Sequence, residues 1–124
     1  MNKKEIAAVI DHTLLKPAKK SQIADLCAQA KQYGFASVCV NPCHVKLAAK
    51  ELEGSSVKVC TVIGFPLGET STRTKIYEAK EAIKNGATEI DMVMNQSWAK
   101  TNNWTKVAKE IEQIKKACGT ITLK

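Results

Sequence analysis

The sequence predicts an α/β chain in which parallel strands alternate with helices, organised as a single domain over 1–124. Three observations carry this. β-rich runs start near Ala36, Val57, Glu89 and Thr120, and helical periodicities separate them. No low-complexity linker interrupts that rhythm. Polar residues fall near strand ends, which suits either an open doubly wound sheet or a (β/α)₈ barrel. A G-x-G-x-x-G turn is missing after the first strand, which disfavours a dinucleotide fold. The 124 residues are about half of the ~250 typical of a complete barrel.

Composition narrows the classes. The chain is 44% hydrophobic and 25% charged, enough for one domain with a core. No apolar run is long enough for a membrane span, and Asp11 and His12 cut short any signal-peptide core. A soluble, cytoplasmic protein is expected. Five cysteines, an odd number, point to reduced thiols rather than a disulfide framework. The net charge is +7, but the lysines are scattered over helical segments and aromatics are only 5%. Nucleic-acid readers cluster their charge and often interleave it with stacking rings, so no nucleic acid is expected. Cys39, Cys43 and His44 have ligand-like spacing, but no second ligand pair follows, so no metal is expected there.

In chain order, Lys3 to Ile10 reads as a short amphipathic helix. Asp11 to Leu15 is a first strand, with Asp11, Thr13 and Leu15 on one face, running into a loop at Pro17. Ser21 is the expected N-cap of a helix with the stripe Ile23, Leu26, Cys27 and Ala30, stopped by Gly34. Phe35 to Val40 forms the second strand. Asn41-Pro42 then reads as N-cap and first position of a helix carrying Val45, Ala49 and Leu52 and ending at Gly54. Val57 to Ile63 is a third strand, ended by the loop Gly64-Phe65-Pro66-Leu67-Gly68. Two glycines there would let a backbone approach closely, but the bare composition favours a plain turn. Thr70 or Ser71 caps the next helix, with Ile76, Ala79 and Ile83 inward.

Glu89 to Asn95 is the most informative strand. Ile90, Met92 and Met94 alternate with Glu89, Asp91, Val93 and Asn95. Strands of a parallel sheet normally read as continuous Val, Ile and Leu, whereas this one has a polar face. A buried, unpaired carboxylate is costly, so Asp91 is either at a solvated strand end or a placed acid/base. A polar loop or short helical turn follows. Trp104, Val107, Ile111, Ile114 and Cys118 then mark the clearest helix, stopped by Gly119 before a last strand, Thr120 to Lys124.

Three stretches together resemble the deoxyribose-phosphate aldolase family: Ile10-Asp11-His12-Thr13-Leu14-Leu15-Lys16-Pro17, Val62-Ile63-Gly64-Phe65-Pro66-Leu67-Gly68, and Gly86 to Asn95. Ser37-Val38-Cys39-Val40-Asn41-Pro42 is similar to that family's second strand and loop. The resemblance runs from about Glu5 to Lys124. It implies the N-terminal half of a (β/α)₈ barrel, about four βα units plus the start of the fifth strand, with an extra N-terminal helix. It also implies a class I lyase that needs no cofactor or metal and cleaves 2-deoxy-D-ribose 5-phosphate to acetaldehyde and glyceraldehyde 3-phosphate, a step of deoxynucleoside catabolism.

On that resemblance Asp91 matches the proton-relay aspartate. Asp11, Cys39 and Lys124 match positions in or near the substrate pocket. The family's Schiff-base lysine lies on a sixth strand, and no residue here matches it, so the 124 residues are expected to be inactive by themselves. As the last residue, Lys124 is expected to fray. The same half-barrel could instead be a self-associating structural module without catalysis. Exposed sheet edges favour a homodimer or higher oligomer, or a complementary C-terminal half. A third possibility is residual imine chemistry at Lys124 beside Asp91.

Overall fold

The computed structural model describes all residues from Met1 to Lys124. Five parallel strands lie in the order of the chain: β1 (Asp11–Leu14), β2 (Ser37–Val40), β3 (Lys58–Ile63), β4 (Glu89–Met92) and β5 (Thr122–Leu123). This order decides between the two sequence-level alternatives. A doubly wound sheet reverses its strand order at a switch point; a barrel adds each strand beside the last. Here every strand is added on the same side, and the sheet is part of a barrel wall.

The helices are α1 (Lys3–Ala7), α2 (Lys20–Tyr33), α3 (Val45–Glu51), α4 (Thr72–Lys84), α5 (Gln96–Lys100) and α6 (Trp104–Cys118). None is long and apolar enough to cross a membrane. Short α1 is the expected extra N-terminal helix; it is capped by Asn2 and Glu5 and buries none of its residues. The main core lies between the sheet's outer face and the helices. Val38, Val40, Val59, Ile63 and Ile90 from the strands meet Ile23, Cys27, Ala30, Val45, Ala48, Ala79 and Ile114. The inner face is different. Its buried apolar cluster is only Cys39, Cys60 and Val62, with Leu15 against it.

Several local expectations hold. The α2 stripe Ile23, Leu26, Cys27 and Ala30 is buried, and Gly34 ends the helix in the left-handed conformation at φ +67°. Ser71 caps α4 by accepting the Thr74 N–H.

Others are corrected. Ser21 lies inside α2, because the Gln22 side chain accepts the Lys19 N–H and starts the helix earlier. Asn41 makes no side-chain cap; its amide donates to the Leu15 carbonyl at 2.9 Å, and Pro42–His44 form a 3₁₀ turn before α3. In α3 the buried positions are Val45 and Ala48, with Ala49 only half-buried. β4 stops at Met92, so Met94 is exposed and Asn95 leaves the inward face. The Asn95 side chain instead caps α5 by accepting the Trp98 N–H at 3.0 Å.

The outer helices share one further correction. The expected stripe of α4 is displaced to Lys75, Ala79 and Ala82, with Ile76 and Ile83 half-buried. On α6, Glu110 is buried where Ile111 was expected, and Trp104 and Ile111 are exposed at 55% and 42%. Both displacements have one cause. The Lys75 ammonium and the Glu110 carboxylate meet at 2.7 Å between α4 and α6, with side chains 0% and 1% exposed.

The Gly64–Gly68 loop needs its glycines for packing. Both have positive φ, +62° and +68°. A Cβ on Gly64 would come within 2.7 Å of Lys75 Cε, and one on Gly68 would collide with the Met94 carbonyl. Close backbone approach is real here, but to other parts of the chain.

Candidate active site

Parallel pairing places paired residues on the same face, and alternation then assigns the rest. Thr13, Cys39, Cys60, Glu89 and Thr122 form one row across all five strands. Asp11 and Ser37 pair one step below it, and Val62 and Asp91 pair one step above, toward the C-terminal ends of the strands. Barrel enzymes build their sites at that end. The four residues singled out from sequence, Asp11, Cys39, Asp91 and Lys124, thus share the concave face.

Lys124 is not frayed. Its N–H donates to the Ile90 carbonyl at 2.7 Å, and its carbonyl accepts the Met92 N–H at 2.9 Å. Its backbone therefore lies opposite Asp91, yet its ammonium goes elsewhere. It contacts Asp11 Oδ2 at 2.7 Å and Glu89 Oε2 at 2.9 Å. The first contact joins β5 to β1, the two ends of the sheet, so the sheet is curled far enough for its edges to communicate through side chains. Asp91 takes no part in an ion pair, so of the groups that could answer its charge Lys124 is not the one used.

Charges in this cluster are displaced from their ordinary values. Burial pulls Lys124 down, but hydrogen bonds to Asp11 and Glu89 outweigh it and hold the ammonium well above the usual lysine range. Burial pushes Asp11 up, while hydrogen bonds from Lys124 and Ser37 prevail and hold its carboxyl below the usual range. A group with a depressed native pKa contributes stability above its unfolded value, and this is lost as pH falls through the native value. The expected result is that the urea-midpoint difference between the parent chain and Asp11→Asn shrinks between about pH 5 and pH 3. A difference that stays constant over that window would remove the Asp11–Lys124 pair as its source.

The cysteines are arranged otherwise than their spacing suggested. Cys43 is exposed on the 3₁₀ turn, and Cys39 is buried on the inner face. Cys39 is matched instead with Cys60 on the next strand. Contact with the Cys60 thiol lowers the Cys39 thiol; the same contact, with burial, raises the Cys60 thiol. All five cysteines are free.

Cys60 and Glu89 were not chosen as site residues from sequence. Their signal was parity: each sits an even number of residues from an inward position on its strand, Val62 and Asp91 respectively. Lys75 and Glu110 had no such signal. They also shape the site's rim, because Glu110 accepts the Asn95 N–H at 3.3 Å and the Thr72 hydroxyl at 2.7 Å. One buried carboxylate so anchors, at Asn95, the loop that leaves β4 after Met92.

The inward face thus gathers the carboxylates of Asp11, Glu89 and Asp91, the ammonium of Lys124 and the thiols of Cys39 and Cys60, and Asp91 is the carboxylate among them that no ion pair holds. Comparison with known proteins identifies the family. The model of the DeoC/LacD family aldolases matches residues 6–124. A deoxyribose-phosphate aldolase from Thermoanaerobacter sp. (strain X514) is 60% identical over 113 residues, which are 90% of this chain and 51% of the relative. A candidate deoxyribose-phosphate aldolase from Coccidioides immitis superposes with a TM-score of 0.94 at 46% identity, covering 99% of this chain and 49% of that one. The tetrameric deoxyribose phosphate aldolase from Aeropyrum pernix gives 0.81 at 30% identity, covering 98% and 53%. The chain spans about half the length of the curated relatives it matches.

Proposed function

Because the chain belongs to the DeoC/LacD family of aldolases, we propose that its concave face is the N-terminal half of a deoxyribose-phosphate aldolase active site. One observation carries the reading: Asp91 stands on the inward face near the strand ends, free of any ion pair, while the neighbouring lysine is held by two other carboxylates. A proton shuttle has to be reachable and uncommitted, within hydrogen-bond range or one water of the reacting atom. In this reading Asp91 relays protons, and Cys39, Asp11 and Lys124 line the pocket for a phosphorylated sugar or aldehyde. Lys124 with its two carboxylates fixes the pocket floor.

The amine that forms the imine comes from the complementary half. A lysine must be neutral to attack a carbonyl, and burial or a neighbouring cation supplies this. Lys124 has the opposite surroundings. Borohydride reduction in the presence of acetaldehyde is therefore expected to leave Lys124 unlabelled at neutral pH, or labelled no more than the surface lysines. Selective labelling of Lys124 that disappears in Asp91→Asn would instead establish residual imine chemistry in these 124 residues.

Joining the 124 residues to the C-terminal half of the Thermoanaerobacter relative tests the reading. The joined chain is expected to cleave 2-deoxyribose 5-phosphate, and the 124 residues alone are not. A folded, joined chain without cleavage would count against it. The alternative, a self-associating structural half-barrel, draws support from the edges of β1 and β5, which pair with no further strand. On that view the isolated 124 residues form a dimer or higher oligomer in light scattering; a stable monomer at micromolar concentration rules it out. A cytoplasmic location accords with five free thiols.

A further inference from the structure

We propose that Cys39, Cys60 and Asp91 form a binding site for a thiophilic divalent cation of the zinc class. Three adjacent strands each contribute one ligand, and the two sulfurs and a carboxylate oxygen all lie within 4.8 Å of one another. In tetrahedral zinc the Zn–S distance is about 2.3 Å and the Zn–O distance about 2.0 Å, so ligand atoms stand about 3.5–3.8 Å apart. Closing the site needs ligand shifts of at most roughly 1 Å, within reach of χ rotations on a fixed sheet. Cys39 and Cys60 are register partners on β2 and β3, both buried, and β4 presents Asp91 beside them.

The donor set selects the cation. Two sulfurs exclude magnesium and calcium, which take oxygen ligands, and favour zinc or cobalt(II). On binding, both thiols give up their protons to solvent as the metal–sulfur bonds form, and Asp91 supplies the third bond. The nearby ammonium of Lys124 does not oppose this, since Asp11 and Glu89 already neutralise it. The fourth position opens to the concavity for water. Such a cation would occupy Asp91 and so compete with proton relay. Binding itself stands independently of that relay, so either can fail alone.

Cobalt(II) titration of the reduced chain, kept in a phosphine reductant, is the test. One equivalent is expected to produce a thiolate charge-transfer band that zinc displaces. Cys39→Ser and Cys60→Ser are each expected to weaken binding by at least about 100-fold, more than the loss of an outer hydrogen-bond partner costs. Asp91→Asn should keep the band with affinity at least tenfold lower, and Cys43→Ser should change nothing. In the unsubstituted chain, zinc should slow alkylation of Cys39 and Cys60 but not of Cys43. This readout stands even if a cysteine variant fails to fold. Binding that survives loss of Cys39 or Cys60, that depends on Cys43, or that ignores Asp91→Asn overturns the assignment, as does unaltered alkylation under zinc.

Discussion

Replacing Lys75 with methionine is expected to destabilise the chain by about 3–5 kcal/mol, the range for a buried charge stripped of its partner. Lys75 is 0% exposed and its ammonium lies 2.7 Å from Glu110. Removing it leaves the Glu110 carboxylate buried, with only the Thr72 hydroxyl and the Asn95 N–H to satisfy it. Against the 5–15 kcal/mol total of an ordinary domain, that is a large share. Replacing both members, Lys75→Met with Glu110→Leu, is expected to recover much of the loss, since apolar packing often matches a buried pair. Urea unfolding of the two single variants and the double variant gives the coupling directly. A Lys75→Met midpoint within about 0.5 kcal/mol of the parent, the range of an ordinary surface change, would show that the pair does not bind α4 to α6.

The second large effect concerns Asp91. In the joined chain, Asp91→Asn is expected to lower retro-aldol turnover by about 10²–10⁴-fold, the usual worth of a placed general acid/base. The amide keeps the shape of the side chain but cannot take up a proton. Since Asp91 bears no ion pair, its loss leaves no stranded partner, and stability should change little. A fall in activity with an unchanged urea midpoint separates the chemical role from a structural one. A fall explained by unfolding would not support the relay.

What could be read from the sequence follows from how each feature is encoded. Strands and helices are written in periodicity, and the βα rhythm was therefore visible. So was the inward face of β4, because Glu89 and Asp91 broke a pattern that a buried strand would otherwise keep apolar. Half-barrel geometry was not written in periodicity; it came from the family resemblance and is carried by the sequential strand order. Pairings between distant side chains were the hard part. Nothing in the α4 pattern shows that Lys75 rather than Ile76 turns inward, because only Glu110, 35 residues on, makes that burial tolerable. Lys124 was placed on the right face, but its ammonium answers to Asp11, 113 residues earlier, rather than to its strand neighbour. Sequence spacing offers Cys39 only Cys43 as a companion, a grouping set aside for want of further ligands, whereas β2–β3 register brings Cys60 across from it.

Hydrogen exchange with solvent isolates the Asp91 proton relay from the rest of the reaction. Acetaldehyde bound as an imine exchanges its methyl hydrogens only if a base removes a proton to give the enamine, and a relay returns it. In deuterated water the joined chain is expected to incorporate deuterium into acetaldehyde. Its Asp91→Asn variant should still trap acetaldehyde under borohydride but exchange at least about 100-fold more slowly. Exchange at the parent rate in Asp91→Asn would show that Asp91 is not the relay, because the proton would then be moving through some other group.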